Sequence, residues 1–316
     1  MTAGGALTSR RVRMLRPSKR PMDASRPLGY SWEEERSVEG HLLPTLTVFL
    51  AGAECPFSCV FCDLWQHTLD GPTPAGAIPG QIALAIAEAG AVPEHSSIKL
   101  YNASNFFDSR SVPVEDDTAI IPLLAPFERV IVESHPRFIS QRCLDLAKRL
   151  DGTLEVAMGL ETVHPDVFPR LNKGMTLEDF DRAADFLAKA HIALRAFVLV
   201  APPFMPDDAV VEWAVRSTRY AVEHGAEHVS LIPVRGGNGT LDELRRTGEW
   251  IPPKLNQVED ALEATLGLGG AVTADLWDID SLATCECGPA RIARLSHMNT
   301  TGAIPPRESC ARCGWQ

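Results

Sequence analysis

No stretch of this sequence approaches the roughly 20 consecutive apolar residues that a bilayer-spanning helix needs. The longest apolar runs, at 46–53 and 196–203, have the length of strands. The N-terminus lacks an apolar core of the signal-peptide kind, so the expectation is a cytoplasmic protein with no membrane contact. Internal repeats and low-complexity blocks are also lacking. Charged residues make up 22% against 45% hydrophobic, a balance that excludes a disordered chain. Eight cysteines among 316 residues are too sparse for the disulfide framework of a small secreted domain. What remains is a chain long enough for one large domain, or one domain plus an extension, with clustered cysteines of the kind that bind metal or do chemistry.

The net charge is −11, unevenly placed. Residues 1–26 hold seven bases (Arg10, Arg11, Arg13, Arg16, Lys19, Arg20 and Arg26) against Asp23. The remainder holds 23 bases and 40 acids, a net charge of −17. The basic head has no apolar periodicity and contains Pro17 and Pro21, which predicts a partly disordered segment over 1–40. Such a head serves either as an arm for an anionic ligand or as a plain solubilising terminus. The acidic body argues against a broad phosphate-binding face.

From residue 45 onward, apolar runs alternate with helical patterns. Strands are predicted at 45–52, 96–102, 128–134, 154–162, 192–203 and 228–234, and helices at 80–90, 114–126, 139–150, 176–190 and 207–224. Thr176 and Asp179 form a capping-box pair ahead of one helix, and Gly225 stops another. This alternation makes an α/β fold of right-handed βαβ units around a parallel sheet. A curved six-stranded partial barrel and a flat doubly wound sheet are both built this way. Beyond about residue 245 a helix at 255–267 and a strand at 271–278 lead into a Cys-rich tail. The chain thus divides into a basic segment (1–40), a barrel (41–245) and a metal-binding extension (246–316).

Directly after the first of these strands come Cys55, Cys59 and Cys62, spaced C-x-x-x-C-x-x-C, with aromatic Phe61 before the last. A structural zinc site wants four protein ligands. Three adjacent thiolates without a fourth suit a 4Fe-4S cluster with one iron left open for an exchangeable ligand.

This motif and its place in the fold resemble the radical S-adenosylmethionine (SAM) superfamily, whose (β/α)6 partial TIM barrel carries C-x-x-x-C-x-aromatic-C on the loop after its first strand. The resemblance implies an enzyme in which Cys55, Cys59 and Cys62 hold a 4Fe-4S cluster and SAM chelates the open iron. One electron then cleaves SAM to methionine and a 5′-deoxyadenosyl radical that abstracts hydrogen from substrate. A flavodoxin- or ferredoxin-type reductant would supply that electron. The family's Gly-Gly-Glu-like segment is replaced here by Asn102-Ala103-Ser104-Asn105, so Asn102, Ser104 and Asn105 become candidates for the SAM amine. Glu133 and Glu161 end apolar runs at the rim where barrel sites are built, and Phe61, Val200 and Ile232 are candidates for the remaining SAM contacts. Arg235-Gly-Gly-Asn-Gly239 reads as a rim loop whose glycines permit close backbone approach to a ligand.

The segments VESHPRFI, GLETVHPDV, LNKGMTLEDF, FVLVAPPF and SLIPVRGG look like the branch holding the elongator-type proteins and the radical SAM partner of archaeosine synthase, whose members modify tRNA. The acidic body speaks for a small-molecule or nucleoside-type substrate instead, with nucleic acid as the alternative. A non-catalytic RNA-binding module stapled by metal is the competing class.

In the tail, Cys285 and Cys287 precede Cys310 and Cys313, each pair followed by glycine. Four thiolates complete a tetrahedral zinc site or an auxiliary 4Fe-4S cluster, and the spacing is compatible with both. Cys143 shares an apolar helix face with Ile139, Leu146 and Leu150, which marks it as a core thiol.

Overall fold

The computed structural model describes residues 7–307 and 309–314. Its centre is one eight-stranded sheet in sequential order: β1 (Gly29–Arg36), β2 (Leu42–Leu50), β3 (Ser97–Asn102), β4 (Arg129–Glu133), β5 (Thr153–Glu161), β6 (Ala193–Val200), β7 (Ala226–Pro233) and β8 (Ala271–Ala274). β1 is antiparallel to β2, and every later pairing is parallel. Among the described residues the helices are α1 (Ser9–Leu15), α2 (Ala77–Ala89), α3 (Asp117–Leu124), α4 (Gln141–Arg149), α5 (Leu177–Lys189), α6 (Val210–Glu223), α7 (Thr240–Thr247), α8 (Leu255–Thr265) and α9 (Gly288–Thr301).

The sheet curls into a half-barrel. Its two edges come within one side chain of each other, since Arg36 at the end of β1 donates to Val272 O in β8 at 3.1 Å and to Asn299 O in α9 at 3.2 Å. Successive side chains alternate between the faces. Leu46, Val48, Leu50, Ile98, Leu100, Val130, Val132, Val156 and Met158 are all fully buried in the main apolar core. The helical partners Ile78 and Ile82 of α2, Phe180 and Leu187 of α5, and Cys143 and Leu146 of α4 belong to that same core. Cys143 is thus a core thiol, which burial pushes up to about 12. The Thr176–Asp179 capping box forms in both directions ahead of α5.

The other face of the sheet lines the barrel interior, and near the N-terminal ends of the strands it is charged. Arg195 donates to Glu155 at 2.5 Å and pairs with Glu35 of β1. Arg129 reaches Glu155 at 2.6 Å, and Lys99 pairs with Glu33 at 2.7 Å and with Glu35. Burial alone would raise the Glu35 carboxyl, but Arg195 and Lys99 outweigh it and hold it at about 2. Toward the C-terminal ends comes an aromatic layer in which Tyr101 of β3 and Phe197 of β6 meet edge to face at 6.2 Å. The C-terminal mouth lies beyond.

The structure adds two features to these expectations. α1 and β1 both lie within the first 40 residues, while residues 1–6 lie outside the described residues. β1 escapes sequence reading because GYSWEEER has no apolar run; it is an edge strand whose acids turn inward to meet Lys99 and Arg195. The sheet also continues past six strands, since the 271–278 strand, shortened to β8, pairs with β7. No helix among the described residues is long and apolar enough to cross a membrane.

Replacing Arg195 by Met should cost about 3–5 kcal/mol in denaturant unfolding, because it strands buried carboxylates. Acid should act in the same direction. A carboxyl held below its ordinary 4.5 contributes its full stabilisation above that pH, and the contribution is lost as pH falls toward 2. Glu35→Gln should therefore flatten the pH dependence of the unfolding midpoint across that window.

Candidate active site and metal centres

The loop leaving the C-terminal end of β2 carries Cys55, Cys59 and Cys62. It is pinned from every side. Gln81 of α2 holds Ala51 through both its amide atoms, at 2.8 and 2.9 Å. Val60 N donates to Leu171 O at 2.9 Å, and Asn172 Nδ2 to Ser58 O at 2.6 Å. Asn238 Nδ2 donates to Val60 O and Cys62 O at 2.9 and 3.1 Å, while its Oδ1 accepts from Leu241 N and caps the start of α7. The basic N-terminal segment lies over the outer side of the same loop. Arg13 donates to Ser58 Oγ and Pro56 O, and Lys19 to Thr68 O and Leu69 O. Arg16 pairs with Glu54 at 2.6 Å and stacks over Trp65. These bases are spent on fastening the loop, a role that composition alone does not reveal.

Burial pushes all three thiols up, Cys59 to about 12 and Cys62 further. Without metal they are protonated, so a bound metal has to displace protons. Some neighbouring groups oppose that rise. The Lys173 ammonium acts on Cys55 and Cys59, Asn105 Nδ2 donates to Cys55 Sγ at 3.3 Å, and backbone N–H groups of Phe57 and Leu64 approach Cys55 and Cys62. A three-thiolate cluster site fits this donor set.

Asn105 serves that thiol and, through Oδ1, His135 N at 2.7 Å. Asn102 Nδ2 donates to Ser111, but its Oδ1 is buried without a partner, as is Ser104 Oγ. Beside them stands Glu133, half-buried, with Asn102 N as its hydrogen-bond donor and no cation paired to it. Desolvation raises its carboxyl to about 8. Asn102 Oδ1 and Ser104 Oγ are thus buried acceptors without a partner among the described residues, and Glu133 adjoins them through its bond to Asn102 N.

Glu161, the other rim carboxylate, is held in an ion pair. It sits on a bulge in β5, with φ +71, and pairs with Lys173 at 2.5 Å. A Cβ at Gly159 would fall 2.0 Å from Glu161 Oε1 and 2.5 Å from Lys173 Nζ, so glycine is what lets the pair form. Strained backbone of this kind persists where surroundings over-determine it. Val200 departs from expectation. Its side chain is fully buried in the helix-facing core, and alternation along β6 presents Leu199 to the cluster of Val60, Val234 and Trp250 instead. Phe61 and Ile232 border that cluster. Lys173 and Asn238 carry no sequence signal, being ordinary polar residues in loops.

In the tail, the sulfurs of Cys285, Cys287, Cys310 and Cys313 lie within 4.8 Å of one another. Cys285 and Cys310 are 3.8 Å apart, and Cys287 and Cys313 are 3.4 Å apart. Gly288 N and Gly314 N turn back onto Cys285 O and Cys310 O at 2.8 and 2.9 Å, closing two knuckles. Backbone N–H groups of Cys313 and Arg312 donate to Cys310 and draw its pKa down to about 6, so this thiol is ready to ligate near neutral pH. The four form a metal-sized set.

Asn238→Ala should cost about 1–2 kcal/mol, from a lost helix cap and two orphaned carbonyls. Thermal unfolding checks the stability. Iron retained after anaerobic reconstitution and brief air exposure checks the loop, and it should fall relative to wild type.

No protein-family model matches the chain. By sequence it is similar to archaeosine synthase subunit beta of Methanosarcina acetivorans, 28% identical over 245 residues that cover 73% of this chain and 70% of that protein. An uncharacterised protein of Methanocaldococcus jannaschii is 24% identical over 254 residues, 76% of this chain and 70% of that one. Among solved structures, Elp3 of Methanocaldococcus infernus superposes with a TM-score of 0.52 at 14% identity, over 75% of this chain and 60% of that one. A radical SAM methyltransferase of Sphaerobacter thermophilus gives a TM-score of 0.50 at 15% identity, over 79% and 76%. In fold, in cysteine motif and in sequence, the chain fits the radical SAM superfamily, in the branch of the elongator-type and archaeosine-synthase proteins.

Proposed function

We propose that this protein is a radical SAM enzyme acting on a nucleotide within RNA, in the manner of an archaeosine synthase beta subunit, alongside a second subunit. The observation that carries the reading is the pairing of two features at one barrel mouth. A desolvated three-cysteine loop stands beside the open acceptors Asn102 Oδ1, Ser104 Oγ and Glu133. When bound, a reduced 4Fe-4S cluster carrying SAM supplies the electron that cleaves the sulfonium and yields the 5′-deoxyadenosyl radical.

The chain's own residues do the rest. Cys55, Cys59 and Cys62 would hold three irons, and Asn105 and Lys173 offset the negative charge of their sulfurs. Asn102, Ser104 and Glu133 would accept from the SAM amine. Ile232 and Phe61 offer apolar surface for the adenine, with Leu199 in the place expected of Val200. The charged plug below Tyr101 and Phe197 closes the barrel from the other end, which leaves the mouth as the route for substrate.

The sequence relatives support the nucleic-acid alternative over a free small-molecule substrate, a reading that the acidic body had favoured. The name archaeosine synthase subunit beta belongs to a multisubunit enzyme, which supports a partner subunit here.

For the tail we propose zinc. Tetrahedral zinc with Zn–S of about 2.3 Å sets its sulfurs about 3.8 Å apart, and the observed separations of 3.8 and 3.4 Å match a single ion. Thiolates on four separate irons of a cube have to spread further.

Anaerobic reconstitution with SAM and dithionite should release 5′-deoxyadenosine, and Cys59→Ala should abolish it. Turnover retained by that variant, or no cleavage by an iron-loaded wild type under any reductant, refutes the enzyme reading. Metal analysis of a variant lacking Cys55, Cys59 and Cys62 should find about one zinc and no iron per chain; iron there would return the tail to an auxiliary cluster.

A further inference from the structure

Beside the barrel mouth, the loops after β7 and β8 enclose a cleft of about 320 Å³. Its most conspicuous element is Trp277, the most exposed large hydrophobic residue in the described structure at 70%. The residue is nonetheless firmly held. Its N–H donates to Asp275 Oδ1 at 2.9 Å, its carbonyl accepts from Arg235 Nε at 3.2 Å and Nη2 at 2.5 Å, and its ring leans on Phe49 at 6.0 Å. The next residue, Asp278, takes a left-handed backbone with φ +55, which is strain tolerated at a built turn. An exposed indole on a rigid mount is a stacking platform.

The cleft's charge is mixed. The carboxylates of Asp242, held by Gly237 N and Gly239 N at 3.2 and 2.9 Å, and Asp278 line it, and Arg235 is paired with Asp275 at 2.6 Å. Arg245, exposed on the lip, has neither an ion pair nor a side-chain hydrogen bond among the described residues. α1 packs against α7, the helix that carries Arg245. Arg10 and Arg11 of α1 are exposed as well, with Arg11 acting on Glu243 of α7. The opposite wall is Gly236, whose missing Cβ leaves room against the Trp250 ring, 3.3 Å away. Through Asn238 this wall is bonded to the cysteine loop.

We infer that this cleft is a nucleotide-binding subsite for single-stranded RNA, in which a base stacks on Trp277 and an adjoining phosphate lies against Arg245. The choice of RNA rests on the reading proposed above. Aromatic platforms beside unpaired arginines are how unpaired bases are gripped, and a base held here is one loop from the cysteines. The occupant is the stretch flanking the reacting nucleotide, which leaves the barrel mouth itself for SAM and the target.

The test is binding of a 5′-fluorescein single-stranded RNA 12-mer of mixed sequence to the anaerobically reconstituted full chain. Trp277→Ala should weaken binding at least five-fold, and Trp277→Phe should restore most of it. Arg245→Gln should lower the slope of log K against log salt by roughly 0.7. The proposal is overturned if Trp277→Ala binds within two-fold of wild type, if Trp277→Phe is as weak as Trp277→Ala, or if saturating SAM displaces the RNA, which would make the cleft a SAM subsite. 5′-Deoxyadenosine formation by the wild type is scored separately. Cleavage of SAM with no RNA bound overturns the subsite and leaves the radical reading standing. RNA bound through Trp277 without SAM cleavage supports the subsite and removes the radical reading.

Discussion

The molecule depends on one buried guanidinium. Arg195, only 3% exposed, bridges Glu155 from the neighbouring strand and Glu35 from the antiparallel edge strand. A sheet that curls without closing has to fill its interior. Here the fill near the strand N-termini is ionic, with Lys99, Arg129 and His228 completing the set around the same carboxylates. Such networks stabilise only when each member is paired, since a lone buried charge costs several kcal/mol. That requirement ties β1, β3, β4, β5, β6 and β7 into one unit and explains why an edge strand rich in glutamate is kept at all. With one end plugged, the other end becomes the working face, consistent with barrel sites lying at the C-terminal rim.

At that rim the chemistry runs on the opposite principle. Three thiols are desolvated, and the groups that would stabilise their charged form, Lys173 and Asn105, come from distant parts of the chain. Lys173 is positioned by Glu161, which sits on the β5 bulge, and the missing side chain of Gly159 leaves room for the pair. A backbone irregularity is thereby converted into the placement of one positive charge beside two sulfurs. Arg13, Arg16 and Lys19 act from outside the loop in a similar way, through bonds to its carbonyls and to Glu54.

How much of this was legible follows from what each element is made of. The parallel strands β2 to β7 announce themselves because they are buried on the helix side and read as apolar runs, and their predicted bounds differ by only a few residues. β1 was invisible because its inward face is charged. α7 and α9 were missed because they follow loops rather than apolar runs. The cysteine triad and the tail quartet were legible from spacing, since thiolate chemistry requires short intervals. Val200 and Leu199 show the limit. A period of two means that an error of one residue turns a side chain from the mouth to the core, and a strand predicted at 192–203 cannot fix that parity. Lys173, Asn238 and Trp277 act through loops brought together only by the fold, so no local pattern marks them.

Net charge is a weak guide to the partner, for a physical reason. An acidic body of −17 argues against a nucleic-acid partner only on average, because a ligand responds to the local field, and surface charges more than a Debye length of about 8 Å away are largely screened. Many of the acids are neutralised where they stand: Glu155 and Glu35 inside the barrel, Asp117 by Arg142, Glu259 by Arg291, and Glu263 by Arg294 and Arg307. At the mouth Asp242 is held by backbone N–H groups and Asp275 fixes Arg235, while Arg245 has no ion pair among the described residues. Arg13, Arg16 and Lys19 of the N-terminal segment, which composition treats as a separate tail, are folded onto the cysteine loop. The sign that matters for recognition is therefore set locally, by which charges the fold leaves unpaired.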